Sequence, residues 1–164
     1  AALRALGDHA GAEAAYRRAA SLDSTHSKAH SNLIYSLDFS TAYDVRDHQA
    51  ERQRWYQKHG KPLSSKIHPH SNEATAKRRL QIGYVSADFR HHSATNGFGP
   101  MLLSYDRSEF DIVCYACNFE QDSVTDRFRA VATKWRDCAR MNDAELATQI
   151  REDKIDILVD LSGH

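Results

Sequence analysis

The stretch Leu80-Gln81-Ile82-Gly83-Tyr84-Val85-Ser86 is apolar over most of its length and follows the basic run Lys77-Arg78-Arg79. A short apolar run that contains β-branched and aromatic residues is typical of a buried strand. From Leu80 onward, further strand-like runs alternate with segments of helical periodicity. This alternation predicts βαβ units, and therefore a parallel sheet that begins with the strand from Leu80 to Ser86.

The elements after this first strand are predicted in a regular order. We expect a helix over 98–105, a strand over 110–116, a helix over 124–133, a strand around Trp135, a helix over 142–152 and a strand over 155–161. Asp122 or Ser123 is predicted to cap the second of these helices, because both residue types accept hydrogen bonds from free helical N–H groups. The prediction is a Rossmann-like parallel sheet that is truncated at His164.

Two loops of such a sheet are expected to meet at one edge. In the strand order 3-2-1-4, the first and fourth strands are neighbours, and ligands bind beyond their carboxyl ends. The first strand leads to His91 and His92, and the fourth leads to His164. An imidazole can act as a general base or donate a hydrogen bond to a phosphate or sugar hydroxyl. His92 and His164 are therefore candidate site residues; the alternative is that they are ordinary polar loop residues in a chain with 10 histidines.

The loop after the first strand does not resemble a dinucleotide-binding loop. No glycine lies between Gly83 and Gly97, so the motif G-x-G-x-x-G is absent. That motif allows a pyrophosphate to approach the backbone. A nicotinamide-dependent dehydrogenase is therefore disfavoured.

The first third of the chain has helical periodicity and few helix breakers. After the turn Gly7-Asp8, small and aromatic residues recur at Ala12, Tyr16 and Ala19. This spacing resembles the second half of a tetratricopeptide repeat (TPR), in which small residues allow neighbouring helices to pack closely. An amphipathic helical pair with a chance similarity is the alternative. We predict TPR-like helical repeats over 1–38, a connecting helix over 39–61, a linker over 62–79 and the Rossmann-like lobe over 80–164.

Composition excludes several classes of protein. The 22 Lys+Arg residues balance 22 Asp+Glu residues, so there is no basic excess to neutralise the phosphates of a nucleic acid. No run reaches the roughly 20 apolar residues that span a bilayer. Three cysteines do not suggest a disulfide framework and fit a reducing cytoplasm. Cys114 and Cys117 are three apart in a strand-like run and point to opposite faces, which favours buried thiols over a zinc site.

Two motifs carry a family resemblance. The stretch 82–93, Ile-Gly-Tyr-Val-Ser-Ala-Asp-Phe-Arg-His-His-Ser, looks like the opening of the catalytic region of protein O-linked N-acetylglucosamine transferases. That family includes the plant SPINDLY proteins and bacterial relatives. The stretch 155–164 is similar to a second family motif, a strand that ends in Asp-Leu-(Ser/Ala)-Gly-His. The order of repeats, helical connection and α/β region also matches, so the resemblance covers nearly the whole chain.

The resemblance implies a fold and an activity. The fold would be TPR-like helical hairpins followed by the N-terminal lobe of a GT-B glycosyltransferase, whose second lobe holds most of the nucleotide sugar. The reaction would transfer N-acetylglucosamine from UDP-GlcNAc to Ser or Thr of protein acceptors that the repeats recruit, with no cofactor and no essential metal. Two alternatives stay open: a SPINDLY-type O-fucosyltransferase that uses GDP-fucose, and a non-catalytic TPR scaffold.

The resemblance also assigns roles to individual residues. His92 falls on the histidine of the first motif, an active-site residue and candidate base. His164 falls on a position of the second motif that is His in bacterial and plant members, and we expect it to bind substrate. Asn96 lies in the run 94–97, where many relatives are rich in aromatic residues, and it is a second candidate for substrate binding.

Both ends of the sequence look cut, since it starts without Met and stops directly after a strand-like run. We therefore expect a fragment of a longer cytoplasmic protein, one that binds donor weakly and is inactive by itself. The sequence does not predict an oligomeric state.

Overall fold

The structure is a computed structural model that describes residues 2–75 and 77–162. The chain divides into two compact units, one up to His68 and the other from Pro69 onward. The first unit is helical, and the second is a parallel sheet with helices. Among the described residues, every helix is too short or too polar to cross a membrane.

The helical unit has a shallow core of small and aliphatic side chains. Its elements are α1 (Ala2–Ala5), α2 (His9–Leu22), α3 (Ser27–Leu37), α4 (Val45–Trp55), a π-helical turn (Tyr56–Gly60) and a 3-10 helix (Lys61–Lys66). Ala12 of α2 and Ala29 of α3 are buried, and α2 packs against α3. Gly7 has a φ of +82°, which suits the predicted turn before α2.

Two details of this unit were not predicted. Within the segment predicted as a connecting helix over 39–61, α4 ends at Trp55 and the chain continues as a π-helical turn. The expected linker begins with a 3-10 helix, whose first turn contains Pro62. Proline is compatible with the first turn of a helix because the N–H it lacks would have no partner there. The predicted domain limits 1–38, 39–61, 62–79 and 80–164 stay predictions.

Within the described part of the chain, the sheet has four parallel strands in the predicted order. The strands are β1 (Leu80–Ser86), β2 (Phe110–Ala116), β3 (Lys134–Asp137) and β4 (Ile157–Asp160), arranged β3-β2-β1-β4. The predicted bounds of β1 and β2 are confirmed. β4 is shorter than the predicted strand over 155–161 at both ends. At its amino end, the Asp156 side chain, and not a backbone carbonyl, accepts the N–H of Gln81.

Three helices cover the sheet, and one of them begins earlier than predicted. They are α5 (Ser93–Leu103), α6 (Ser123–Val131) and α7 (Asp143–Glu152). The expected helix over 98–105 was wrong at its start, since α5 begins at Ser93. Gly99 is buried where α5 faces α6, and a Cβ added there would be in ordinary contact with the Phe128 ring, at 3.4 Å.

β2 is buried on both faces, which explains its continuous apolar sequence. Ile112 and Cys114 pack on one face with Phe89 and Phe128, and Val113 and Tyr115 pack on the other. At Gly83, in the neighbouring strand, an added Cβ would lie 3.1 Å from side-chain atoms of Ile155, Leu158 and Tyr115. A side chain at this position would therefore crowd three neighbouring side chains, which glycine avoids.

The cysteines follow the predicted division between the two faces. Cys114 is buried on one face, and Cys117 packs against the cluster on the other. Burial raises the pKa of the Cys114 thiol to about 12 and that of Cys138 to about 11. Cys117 is only half-buried, so the prediction of a buried thiol was wrong for this residue.

Candidate functional site

The carboxyl ends of β1 and β4 are joined by hydroxyl groups. Ala87 donates its N–H to Ser162 Oγ at 3.1 Å, and the Ser86 and Ser162 hydroxyls lie 3.2 Å apart. Ser86 Oγ also accepts the N–H of Asp88 at 2.9 Å. The loop after β1 and the segment after β4 thus meet at one edge of the sheet, as the strand order predicts.

The loop after β1 is held by hydrogen bonds to two helices. Thr95 of α5 donates its hydroxyl to the carbonyls of Asp88 at 2.9 Å and Arg90 at 2.8 Å. Thr125 of α6 donates its hydroxyl to the carbonyl of Phe89 at 2.7 Å. The Phe89 side chain is fully buried. The backbone in front of His92 is therefore fixed in position by side chains from both α5 and α6.

Asp122 links this loop to the start of α6. Its Oδ1 accepts the N–H groups of Val124 and Thr125, which caps the helix, and its Oδ2 accepts the N–H of His91 at 2.7 Å. The hydrogen bonds from the backbone N–H groups of His91 and Thr125 lower the pKa of Asp122. The carboxylate therefore stays ionised at neutral pH and serves both partners. The structure selects Asp122 from the two predicted caps of α6.

His92 is the N-cap residue of α5. Its Nδ1 accepts the backbone N–H of Ala94 at 3.3 Å. Asp88 Oδ1 lies 3.5 Å from the same nitrogen. The His92 side chain is 39% exposed, so the ring is accessible from solvent.

A cleft of about 770 Å³ lies beside His92, between α5 and α6. His92 and Asn96, two of the predicted site residues, both line it. The other lining residues are His91, Ser93, Thr95, Gly99, Pro100, Leu103, Val124, Arg127 and Phe128. Imidazole, amide and guanidinium groups donate hydrogen bonds, so the cleft can bind ligands rich in oxygen atoms or carrying negative charge.

Arg127 is a cleft residue that the sequence analysis missed. It follows Val124 by three residues and precedes Phe128 by one, so the helical spacing of this apolar face could have revealed it. Its charge adds to the capacity of the cleft for anionic groups. Within residues 2–75 and 77–162, no cluster of three or more His, Cys, Asp or Glu side chains is arranged to hold a metal ion.

His164 lies outside the described residues, as does Gly163. Their neighbour Ser162 is described, and it contacts Ser86 and Ala87 at the carboxyl edge. The placement of His164 in one crevice with His92 stays a prediction, as do the roles of His92, Asn96 and His164.

Comparison with known proteins gives a consistent result. Residues 18–164 match glycosyl transferase family 41. The chain is 33% identical to a rice protein named as a probable UDP-N-acetylglucosamine–peptide N-acetylglucosaminyltransferase SPINDLY, in an alignment that covers 92% of this chain and 16% of that protein. It is 34% identical to the SPINDLY protein of Arabidopsis thaliana, over 61% of this chain and 12% of the relative.

A solved structure of a mutant O-GlcNAc transferase from Thermobaculum terrenum matches with a TM-score of 0.87 and 33% identity. That match covers 95% of this chain and 30% of the bacterial chain. The chain therefore spans less than a third of the proteins it resembles. These matches confirm the resemblance carried by the two sequence motifs, and the TM-score confirms the predicted fold class.

Proposed function

Because the chain belongs to glycosyl transferase family 41, we propose that it supplies the first lobe of the catalytic region of a protein O-glycosyltransferase. The helical unit would precede that lobe in the same polypeptide. The observation that carries the proposal is the cleft beside His92, which lies in a fold that matches an O-GlcNAc transferase at a TM-score of 0.87.

The proposed reaction transfers N-acetylglucosamine from UDP-GlcNAc to a Ser or Thr hydroxyl of a protein. The hydroxyl oxygen forms a bond to the anomeric carbon, the bond from that carbon to the diphosphate oxygen breaks, and the hydroxyl proton leaves to a base. The printed names of the plant relatives support this donor and acceptor class. No cofactor beyond the nucleotide sugar is part of the proposal.

Three described residues have the chemistry to bind the reactants. His92, Asn96 and Arg127 share the cleft and can donate hydrogen bonds to sugar or phosphate oxygens. His164 is proposed as a further substrate-binding residue, on the basis of the second sequence motif alone. The other contacts to the donor would come from a second lobe, which the resemblance to this family implies.

The helical unit is proposed to recruit the acceptor protein. Its small buried residues Ala12 and Ala29 and its half-buried Tyr16 follow the TPR-like spacing. Repeats of this class present extended surfaces that bind other proteins. A cytoplasmic location belongs to the same proposal, since it rests on the cysteine usage alone.

The test is a protein-labelling assay of the complete polypeptide with UDP-GlcNAc and, in parallel, with GDP-fucose. Transfer from UDP-GlcNAc is expected, and the 164-residue chain assayed alone is expected to be inactive. Transfer from GDP-fucose only would favour the O-fucosyltransferase alternative. Failure with both donors would contradict the enzyme and favour the scaffold.

His92→Ala is expected to lower kcat/KM by about a hundredfold or more, the usual effect of removing one hydrogen-bond donor from a transition state. His26→Ala is the matched control, because His26 is an exposed N-cap histidine on α3 without a side-chain hydrogen bond. Activity of His92→Ala equal to that of the control would remove His92 from the site.

A further inference from the structure

We propose that Cys117 and Cys138 are a pair of oxidisable thiols, which a peroxide converts into a disulfide between the segments that follow β2 and β3. In the sequence, the nearest cysteine to Cys117 is Cys114. In the folded chain, the neighbour of Cys117 comes instead from the adjacent strand. This pairing is independent of the function proposed above.

The pairing of β2 with β3 brings the two cysteines to adjacent positions. Ala116 and Asp137 are the last residues paired in register, and each cysteine is the next residue along its segment. The backbone ladder reaches this point, because Cys138 donates its N–H to the carbonyl of Ala116 at 2.8 Å, and Cys117 donates its N–H to that of Ser86 at 2.8 Å. Neighbouring strands lie about 4.8 Å apart, within the range of about 4.4–6.8 Å between Cα atoms that a disulfide joins.

The two side chains lie on the same face of the sheet. Cys138 is buried in a cluster with Val113 and Tyr115, and Cys117 packs against that cluster. A negative charge on Cys117 raises the pKa of Cys138, so the two thiols also interact electrostatically. Cys114 belongs to the cluster on the opposite face. The sheet therefore separates Cys117 from Cys114 and leaves Cys138 as its partner.

The two thiols differ in exposure, and this difference sets the order of the reaction. Cys117 is half-buried, whereas Cys138 is buried, so Cys117 meets hydrogen peroxide first. Its sulfur takes one oxygen atom as the O–O bond breaks, which forms a sulfenic acid and a molecule of water. The Cys138 sulfur then attacks the sulfenic sulfur, and the S–S bond forms as a second molecule of water leaves. The peroxide is reduced, and the two thiols together lose two electrons.

The reaction is expected to be slow at neutral pH, because the thiolate is the nucleophile. Burial raises the pKa of Cys117 and raises that of Cys138 to about 11. The charged groups that also act on these thiols are Asp160 for Cys117, and Asp137, Asp153 and Arg136 for Cys138, of which only Arg136 lowers the pKa. The rate should increase about tenfold per pH unit while the pH stays below the pKa of the attacking thiol.

Peptide mapping of the folded chain after peroxide treatment tests the pairing. Cleavage by trypsin at arginine separates peptide 108–127, which holds Cys114 and Cys117, from peptide 137–140, which holds Cys138. A product in which these two peptides are linked, and which dithiothreitol separates, is expected. Fragmentation of this product should locate the bond at Cys117. A bond from Cys138 to any other cysteine, or no bond at all, would overturn the proposal.

The same oxidation in urea is the control for the role of the fold. Loop closure becomes less favourable as the loop grows, so the unfolded chain should pair Cys117 with Cys114 more often than with Cys138. The yield of the linked product of peptides 108–127 and 137–140 should therefore fall several-fold. An unchanged yield in urea would show that the sheet does not direct the pairing, contrary to the proposal.

Two variants separate the three cysteines. Cys117→Ser is expected to abolish the linked product. Cys114→Ala, at a buried cysteine on the opposite face, is the matched control and should retain it. Tryptophan fluorescence verifies that each variant is folded before oxidation. A linked product in folded Cys117→Ser, or its loss in folded Cys114→Ala, would contradict the assignment of the pair.

Discussion

The amino ends and the carboxyl ends of β1 and β4, here called the amino edge and the carboxyl edge, are joined by different kinds of hydrogen bond. At the amino edge, Asp156 accepts hydrogen bonds from Arg78 at 2.6 and 2.7 Å, from Asn72 at 2.7 Å and from the N–H of Gln81 at 2.9 Å. At the carboxyl edge, the side-chain contacts that join the ends of β1 and β4 are those of the Ser162 hydroxyl at 3.1 and 3.2 Å. Bonds to ionised groups are about twice as strong as those between neutral groups.

Within the sheet unit, the groups that contribute most to stability and the groups of the candidate site thus lie at opposite ends of the strands. The amino edge uses its charged groups to satisfy one another, and the Asp156 side chain is only 10% exposed. At the carboxyl edge, the side-chain contacts between the ends of β1 and β4 are the weaker ones of a neutral hydroxyl, and His92 and Asn96 line an open cleft there. Ligands of open α/β sheets bind at carboxyl edges, so a sheet that is stabilised at the amino edge can leave polar groups free for binding.

The largest effect is expected for Asp156→Ala. The change removes the carboxylate that accepts hydrogen bonds from Arg78, Asn72 and Gln81, and it leaves the Arg78 guanidinium, whose side chain is 25% exposed, without an ionised partner. Breaking a largely buried ion pair in this way is expected to lower the free energy of unfolding by about 3 kcal/mol. Urea unfolding followed by the fluorescence of Trp135, in a Trp55→Phe background, measures this loss in the sheet unit.

Asp126→Ala serves as the control for this prediction. Asp126 is 75% exposed and pairs with Arg129 at 3.6 Å on the surface of α6. Exposed ion pairs contribute little, so a change within about 0.5 kcal/mol is expected. Equal losses in the two variants would show that the amino edge is not the more stabilising one.

A smaller and pH-dependent effect is expected on acidification. The hydrogen bonds from Arg78 hold the pKa of Asp156 well below its usual range. The unfolded chain, with an aspartate pKa near 3.9, then binds protons before the folded chain does. The contribution of Asp156 to the free energy of unfolding should therefore be constant above about pH 5 and fall as the pH decreases below that value.

Urea midpoints at several pH values between 7 and 3 measure this dependence. Asp156→Asn removes the ionisable group, so its stability should fall less steeply over the same interval. Asp153, whose pKa is also lowered by hydrogen bonds from Arg136 and Tyr115 against the effect of its burial, should maintain part of the slope. Identical slopes in wild type and Asp156→Asn would contradict the assignment.

The smallest effect is expected for Ser162→Ala at the carboxyl edge. The variant loses two hydrogen bonds between neutral groups, of which one is to the backbone of Ala87. A loss of about 1 kcal/mol is expected in the same fluorescence experiment. Ser123→Ala, at an exposed position of α6, should be nearly neutral. A loss as large as that of Asp156→Ala would remove the contrast between the two edges.

Local sequence patterns predicted most of the sheet. β1 and β2 have the predicted bounds because both are short apolar runs with polar neighbours. The start of α5 was not predicted, since the predicted helix began at Phe98 and α5 begins at Ser93. The N-cap His92 and the hydroxyl of Thr95, which bonds to carbonyls of the loop after β1, hold this first turn, and such contacts are not visible in local periodicity.

The candidate site was predicted in part. The strand order placed His92 at the carboxyl edge, where the structure has it. The hydrogen bond between His92 and Ala94 forms because α5 begins at Ser93. Since the predicted helix began at residue 98, the role of His92 as the N-cap residue was not predicted. The cluster of Asp156 with Arg78 and Asn72 joins residues that are far apart in the chain, and no local pattern marks such a pair.

Because Asp122 binds both the loop from Asp88 to Ser93 and the start of α6, protein engineering has to treat these two segments together. One of its oxygens starts the helix, and the other orients the peptide of His91. A designer who grafts the segment from Asp88 to Ser93 onto a foreign α/β scaffold would need to transfer α6 with it. Without that helix, the transplanted peptide would lose the acceptor of the His91 N–H, and with it one attachment of the backbone in front of His92.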